Sequence, residues 1–211
     1  MKTLECRGIT LSDKQTKICV PITGTDLEEI KEQAEKIANM NPDVVEWRAD
    51  FYDVKDNDET EFEQCLKAIN DNLKKIPIIY TYRTSNEGGE KSIDVDDYCR
   101  LCKYVSEISE KYNVAMIDVE LYENKDQKDI GKLLLDIKST GVKVIGSNHH
   151  FEGTPSEKDI FNVLKTMEEA GADICKIAVM PKEKVDVKTL INASKKANKE
   201  LNAPIITMSM G

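Results

Sequence analysis

Ile174-Cys175-Lys176-Ile177-Ala178-Val179 is an apolar run of strand length that carries a single charge. A strand this apolar is usually covered on both faces, as in a parallel sheet packed under helices. The ammonium of Lys176 in such a run has to be paired, reach water or lose its proton, because desolvation disfavours the charged form. A lysine without its proton is a free amine, the species that attacks a carbonyl to form a Schiff base. A strand-end lysine whose head snorkels to water is the plainer alternative.

Similar segments recur on both sides of this run. Strands are expected at Lys17–Ile22, Val44–Ala49, Pro77–Tyr82, Met116–Glu120, Lys143–Asn148, Ile174–Val179 and Ile205–Met208, with starts 27 to 39 residues apart. Amphipathic helix patterns fill the gaps: Leu27, Ile30, Ala34 and Ile37; Phe62, Cys65, Leu66, Ile69 and Leu73; Ile160, Val163, Leu164 and Met167. Thr25-Asp26-Leu27-Glu28 reads as a capping box, and Pro155-Ser156 opens another helix. Gly141 and Gly171 fit the left-handed position just past a helix end.

Seven βα repeats argue for a parallel sheet. A doubly wound sheet usually carries a glycine-rich phosphate turn after its first strand, and Pro21-Ile22-Thr23-Gly24-Thr25 has no GxGxxG. A (β/α)8 TIM barrel instead gathers polar residues at the C-terminal ends of many strands, and that pattern is present. Cys6–Leu11 reads as a strand and Ser12–Gln15 as a turn, together a hairpin plugging the N-terminal end of the barrel. The expected organisation is one α/β domain over residues 1–211, a barrel with an N-terminal hairpin that lacks its last βα unit.

The chain has 211 residues and a formal net charge of −9. This charge argues against a nucleic-acid-binding surface, whose footprint is basic. No apolar stretch approaches the ~20 residues that span a bilayer, and the first residues show no signal peptide. A cytoplasmic location is the default expectation. Cys99 and Cys102 form a lone CxxC without a second ligand pair. The stripe Tyr98, Leu101, Cys102, Val105 and Ile108 makes Cys102 a buried helix residue, so no metal site is expected.

The strand ends carry Glu46-Trp47-Arg48-Ala49-Asp50, Tyr82-Arg83-Thr84, Asp118 with Glu120, Ser147-Asn148-His149-His150, and Lys176. Singly, each has a plain structural reading. Glu46 with Arg48 could fill a barrel layer, Asp118 and Glu120 could cap loops, and His149 could be a satisfied core histidine. Together they converge on one mouth, and burying so many charges without a use is costly. Lys176 supplies a carbonyl trap, and His149 or His150 a base near neutral pH. Arg48 and Arg83 supply donors for a carboxylate or hydroxyls. Glu46 and Glu87 can orient a histidine or accept hydroxyl hydrogen bonds. The chemistry implied is proton abstraction beside a carbonyl through a Schiff base.

These segments, with Glu87-Gly88-Gly89-Glu90, Lys176-Ile177-Ala178-Val179-Met180-Pro181 and Ile206-Thr207-Met208-Ser209-Met210, resemble type I 3-dehydroquinate dehydratase from about Lys17 to Gly211. The resemblance implies that Lys176 is the Schiff-base lysine, His149 the general acid/base and Glu87 the residue that positions His149. It places Glu46, Arg48 and Arg83 at substrate hydroxyl and carboxylate contacts and Met210 at a packing contact, and it leaves His150 out of the catalytic set. The implied reaction is dehydration of 3-dehydroquinate to 3-dehydroshikimate, in aromatic amino-acid biosynthesis, with no cofactor. The family continues past the seventh strand, so a shortened, weakly active or inactive barrel is one alternative. Unpaired edges on the first and last barrel strands would then favour association, for example as a homodimer. A class I Schiff-base aldolase is the other alternative.

Overall fold

The computed structural model describes residues 2–12, 14–53, 58–121 and 127–211, with side chains omitted at 127–129. Met1 of the N-terminal segment and Asp13 of the expected turn lie outside the described residues. Strands β1 (Thr3–Cys6) and β2 (Ile9–Ser12) form an antiparallel hairpin. The parallel strands are β3 (Cys19–Ile22), β4 (Val44–Arg48), β5 (Ile78–Thr81), β6 (Val114–Glu120), β7 (Lys143–His150), β8 (Ile174–Val179) and β9 (Ile205–Ser209). Helices α1 (Leu27–Ala38), α2 (Glu59–Leu73), α3 (Val95–Glu107), α4 (Gln127–Ser139), α5 (Glu157–Glu169) and α6 (Lys184–Glu200) connect successive strands of this sheet.

The seven-stranded sheet runs in chain order from β3 to β9. Each expected strand is present, with ends moved by two residues at most. The sheet curls on itself: Cys19 on β3 lies within electrostatic reach of Lys176 on β8. Among the described residues β3 and β9 are not paired with each other, so the barrel has an open seam. Ile206 and Met208 on β9 are accordingly 36% and 40% exposed.

Two local readings are corrected. Cys6–Leu11 is not one strand, because the chain reverses at Arg7 (φ 38°) and Gly8 (φ 81°). Two successive positive φ values make the tight two-residue turn that suits a hairpin's twist. The cap of α1 is Asp26, whose side chain accepts from the Glu29 N–H. Glu29 in turn accepts from the Thr25 N–H and hydroxyl. The cap is therefore shifted by one residue from Thr25, and the return bond from Glu29 goes to Thr25 and not to the N–H of the cap residue itself.

The hairpin plugs the N-terminal end. Leu4, Ile9 and Leu11 pack with Val44, Ile79, Met116, Ile145 and Ile174 at the strand starts. Outside the sheet, Trp47 on β4 is fully buried against Phe62 of α2 at 5.7 Å and Tyr80 of β5 at 5.6 Å. Fully burying side chains of this size contributes roughly 1.5–3 kcal/mol each. Cys102 is buried in the same core, as its place in the α3 stripe requires. The strand starts and outer faces are thus apolar. The polar side chains are left at the other end of the barrel.

Candidate active site

Register sets the site. Thr81 pairs with Asp118, Glu120 with Ser147, and Ser147 with Lys176. Side chains of paired residues in adjacent strands share a face, so Asp118, Glu120, Ser147, His149 and Lys176 all point inward.

Lys176 Nζ donates to Asp118 Oδ2 at 3.1 Å. Of the three outcomes open to a buried ammonium, the structure shows pairing. The lysine side chain is 14% exposed and the aspartate 1%. Asp118 Oδ1 accepts from Arg83 Nη2 at 2.8 Å and from the Ser147 hydroxyl at 2.5 Å. Burial works against the Asp118 charge, but Arg83, Lys176, His149 and the Ser147 hydroxyl outweigh it and hold the carboxyl well below the usual range.

His149 Nδ1 faces Glu87 Oε2 at 2.9 Å, and Asn148 Nδ2 donates to Glu87 Oε1 at 3.1 Å. Burial, then the positive charges of Arg83, Lys176 and Arg48, push the imidazole down to about 3, with Asp118 opposing. His149 is therefore neutral near pH 7. Burial and the neighbouring carboxylates Glu120 and Asp118 push Glu87 up, against Arg83 and Asn148. With Nδ1 engaged by Glu87, Nε2 is the ring nitrogen left for proton transfer.

Glu87 comes from a tight loop. Ser85–Glu87 is one turn of 3-10 helix ending at Gly88, whose φ is 82°. A Cβ on Gly89 would lie 1.9 Å from the Arg83 carbonyl oxygen. Only glycine fits there, so this residue serves close packing of the loop.

Arg83 is 4% exposed. Its Nη1 donates to Glu120 Oε1 and Ser147 Oγ, both at 2.9 Å, and lies 3.6 Å from Glu87. The structure thus places Arg83 beneath the mouth, with its donors on protein oxygens. Glu120 also accepts from the Thr84 N–H and hydroxyl, which makes it the loop cap that one reading of the strand end allowed.

Arg48 does not pair with Glu46. It makes a bidentate bond to Asp50, 2.8 and 2.7 Å, and Glu46 accepts from the Thr81 hydroxyl at 2.7 Å. The strand ends at Arg48, and a 3-10 turn over Ala49–Phe51 folds Asp50 back under the guanidinium. Asp50 also accepts from the N–H groups of Arg83 and Glu90, tying β4 to the loop that carries Glu87. Met210 is half-buried near the end of β9, and its N–H donates to the Val179 carbonyl. The structure therefore brings Lys176, His149 and Glu87 together in one connected array and leaves Met210 at its margin.

The sequence offers Asp118, Ser147 and Asp50 as polar residues at strand ends, Asp118 as a loop cap, and gives none of them a part in the chemistry. The available signal was the period-two alternation that puts Asp118 and Ser147 on the Lys176 side of their strands. Among the described residues, no group of three His, Cys, Asp or Glu side chains is arranged to hold a metal ion, and no helix is long and apolar enough to cross a membrane.

Residues 18–211 match the family described as type I 3-dehydroquinase. The chain is 42% identical over 212 residues to a 3-dehydroquinate dehydratase of Bacillus licheniformis, covering 99% of this chain and 80% of the relative. It is 38% identical over 211 residues to the enzyme of that name from Listeria monocytogenes, covering all of this chain and 81% of the relative. The fold superposes with TM-score 0.92 on a type I 3-dehydroquinate dehydratase from Clostridium difficile solved with covalent modified comenic acid. That protein is 36% identical, with all of this chain and 81% of that one covered.

Proposed function

Because the chain belongs to the type I 3-dehydroquinase family, we propose that it dehydrates 3-dehydroquinate to 3-dehydroshikimate through a Schiff base on Lys176, as a step toward aromatic amino acids. The observation that carries the reading is Lys176 on β8 beside β7, the strand that carries the Glu87-bonded His149, with the lysine within electrostatic reach of the ring.

In this reading Lys176 loses a proton to water at the mouth. Its lone pair then attacks the ring ketone, whose π pair moves to oxygen and takes up a proton. Loss of that oxygen as water leaves an iminium, an electron sink that acidifies the adjacent carbon. His149 Nε2 removes a proton from that carbon and the electrons move into the C=N bond. The enamine expels the neighbouring hydroxyl, which takes the proton back from His149 and departs as water. Hydrolysis of the conjugated iminium releases product and restores the amine. Depression of the imidazole pKa keeps His149 unprotonated and ready as a base at neutral pH.

Glu87 holds the ring by Nδ1. Arg48, braced by Asp50, and Glu46 present a donor and an acceptor to the substrate's carboxylate and hydroxyls. The enzyme acts in the cytoplasm in this reading.

The test is reductive trapping. Incubation with 3-dehydroquinate and sodium borohydride should add one reduced substrate mass to a peptide containing Lys176, and Lys176→Ala should show none. An adduct elsewhere, or none with an active enzyme, refutes the Schiff base. An adduct formed only with an aldol substrate refutes the dehydratase reading.

A further inference from the structure

We propose that Asp118 is a positioning residue for this reaction: it aims the Lys176 nitrogen at the ketone and balances the positive charge that nitrogen carries before attack and again in the iminium. The inference rests on the Schiff-base reading above.

The geometry singles out Asp118 among the carboxylates of the mouth. Glu120, two residues further along β6, spends its oxygens on Arg83 and Thr84. Glu87 is engaged by Asn148 and His149. Glu46 accepts from Thr81. Asp118 alone among these four bonds Lys176. Its other oxygen is pinned by Arg83 and Ser147, so the carboxylate cannot turn, and Oδ2 points at Nζ across β7. A carboxylate fixed by two donors sets the direction of a flexible lysine that would otherwise sample many rotamers.

Charge bookkeeping along the reaction explains the choice of a carboxylate. Nitrogen is positive as the ammonium and neutral as the attacking amine. Once oxygen has left as water, the new C=N bond makes it positive again. Asp118 stays ionised throughout and takes no proton, because Arg83 and Ser147 stabilise its anion. It therefore offsets charge on both cationic species without forming or breaking a bond. The Arg83 guanidinium on the other oxygen of Asp118 would otherwise oppose an iminium at this point.

The experiment compares wild type with Asp118→Asn in steady-state kinetics and in borohydride trapping with 3-dehydroquinate. Removing one charge-assisted hydrogen bond should lower kcat by roughly tenfold to hundredfold. KM should stay within about threefold, because the group contacts the reacting nitrogen and not the bound substrate. The trapped fraction should fall in parallel with kcat. Wild-type kcat and trapping in Asp118→Asn, or a change in KM alone, overturns the proposal while leaving the Schiff base intact. No adduct in wild type overturns the Schiff-base reading and this proposal with it. If Asp118→Asn does not fold, Ser147→Ala decides. It removes one of the two bonds that pin Oδ1 and keeps every charge, so kcat should drop several-fold at unchanged KM, and an unchanged kcat overturns the proposal.

Discussion

Replacing Arg83 by methionine removes a guanidinium that Asp118, Glu120 and Glu87 share. Two of the ion pairs are 2.8 and 2.9 Å long, and all the side chains involved are less than a tenth exposed. Deleting one partner of such a buried pair costs about 3–5 kcal/mol, a large part of the ~5–15 kcal/mol that stabilises a domain. The penalty has a sign in pH. With Arg83 present, Asp118 is held below its unfolded pKa and contributes stability above the ordinary carboxylate range, lost on acidification. Glu87 and Glu120 are raised even with Arg83 present, and its removal raises them further and takes from Asp118 its largest opposing charge. A group raised in this way contributes stability at low pH that is lost as pH rises. The Arg83→Met penalty should therefore be smaller at about pH 5 than at about pH 8, by at least ~1.4 kcal/mol, the value of one proton over one pH unit. Arg83→Lys keeps a charge but loses the fork, so it should fall between the two with a weaker pH dependence. Urea unfolding followed by circular dichroism at both pH values measures all three. A methionine penalty below about 1 kcal/mol, or one that is larger in acid, refutes the account of Arg83 as the central counter-charge.

His149 is neutral in the fold with a pKa pushed down to about 3, so its contribution is complete above the unfolded value near 6.5 and is lost as pH falls. Wild type should accordingly lose stability relative to His149→Asn below about pH 6.5, at up to ~1.4 kcal/mol per pH unit, read by urea titration. Glu87→Gln should lower kcat by roughly tenfold or more with little change in melting temperature, because it loosens the ring without opening a cavity. Gly89→Ala forces a Cβ onto the Arg83 carbonyl and should cost about 1–3 kcal/mol in thermal unfolding, with loss of turnover. Gly131→Ala meets nothing within 4 Å in α4 and should stabilise by roughly 0.5–1 kcal/mol.

Local patterns carried most of the architecture. Ile174–Val179 matches β8 to the residue, an apolar run that begins after Asp173 and stops just short of Pro181. Ser156 caps α5 as its hydroxyl predicts. Convergence of Lys176, His149 and Glu87 followed from placing the first two at strand ends and Glu87 in the loop after β5. The partners within that mouth did not follow. Asp118 and Lys176 lie 58 residues apart and meet across an intervening strand, a contact that depends on how tightly the sheet curls. Alternation says which face a side chain takes, and curvature decides whom it meets there. The same limit hid the commitment of Arg83 to three carboxylates and the switch of Arg48 from Glu46 to Asp50, where a 3-10 turn broke the alternation.

Trp47 is the sole tryptophan of the chain. It is sealed from solvent and stands between Glu46 and Arg48, the two side chains proposed above to contact the substrate. Its indole sits edge-on to Tyr80, close enough to collect excitation from the surrounding tyrosines. Emission from this one ring, blue while β4 stays sealed and red once water reaches it, reports optically on the strand that presents those two groups without any label.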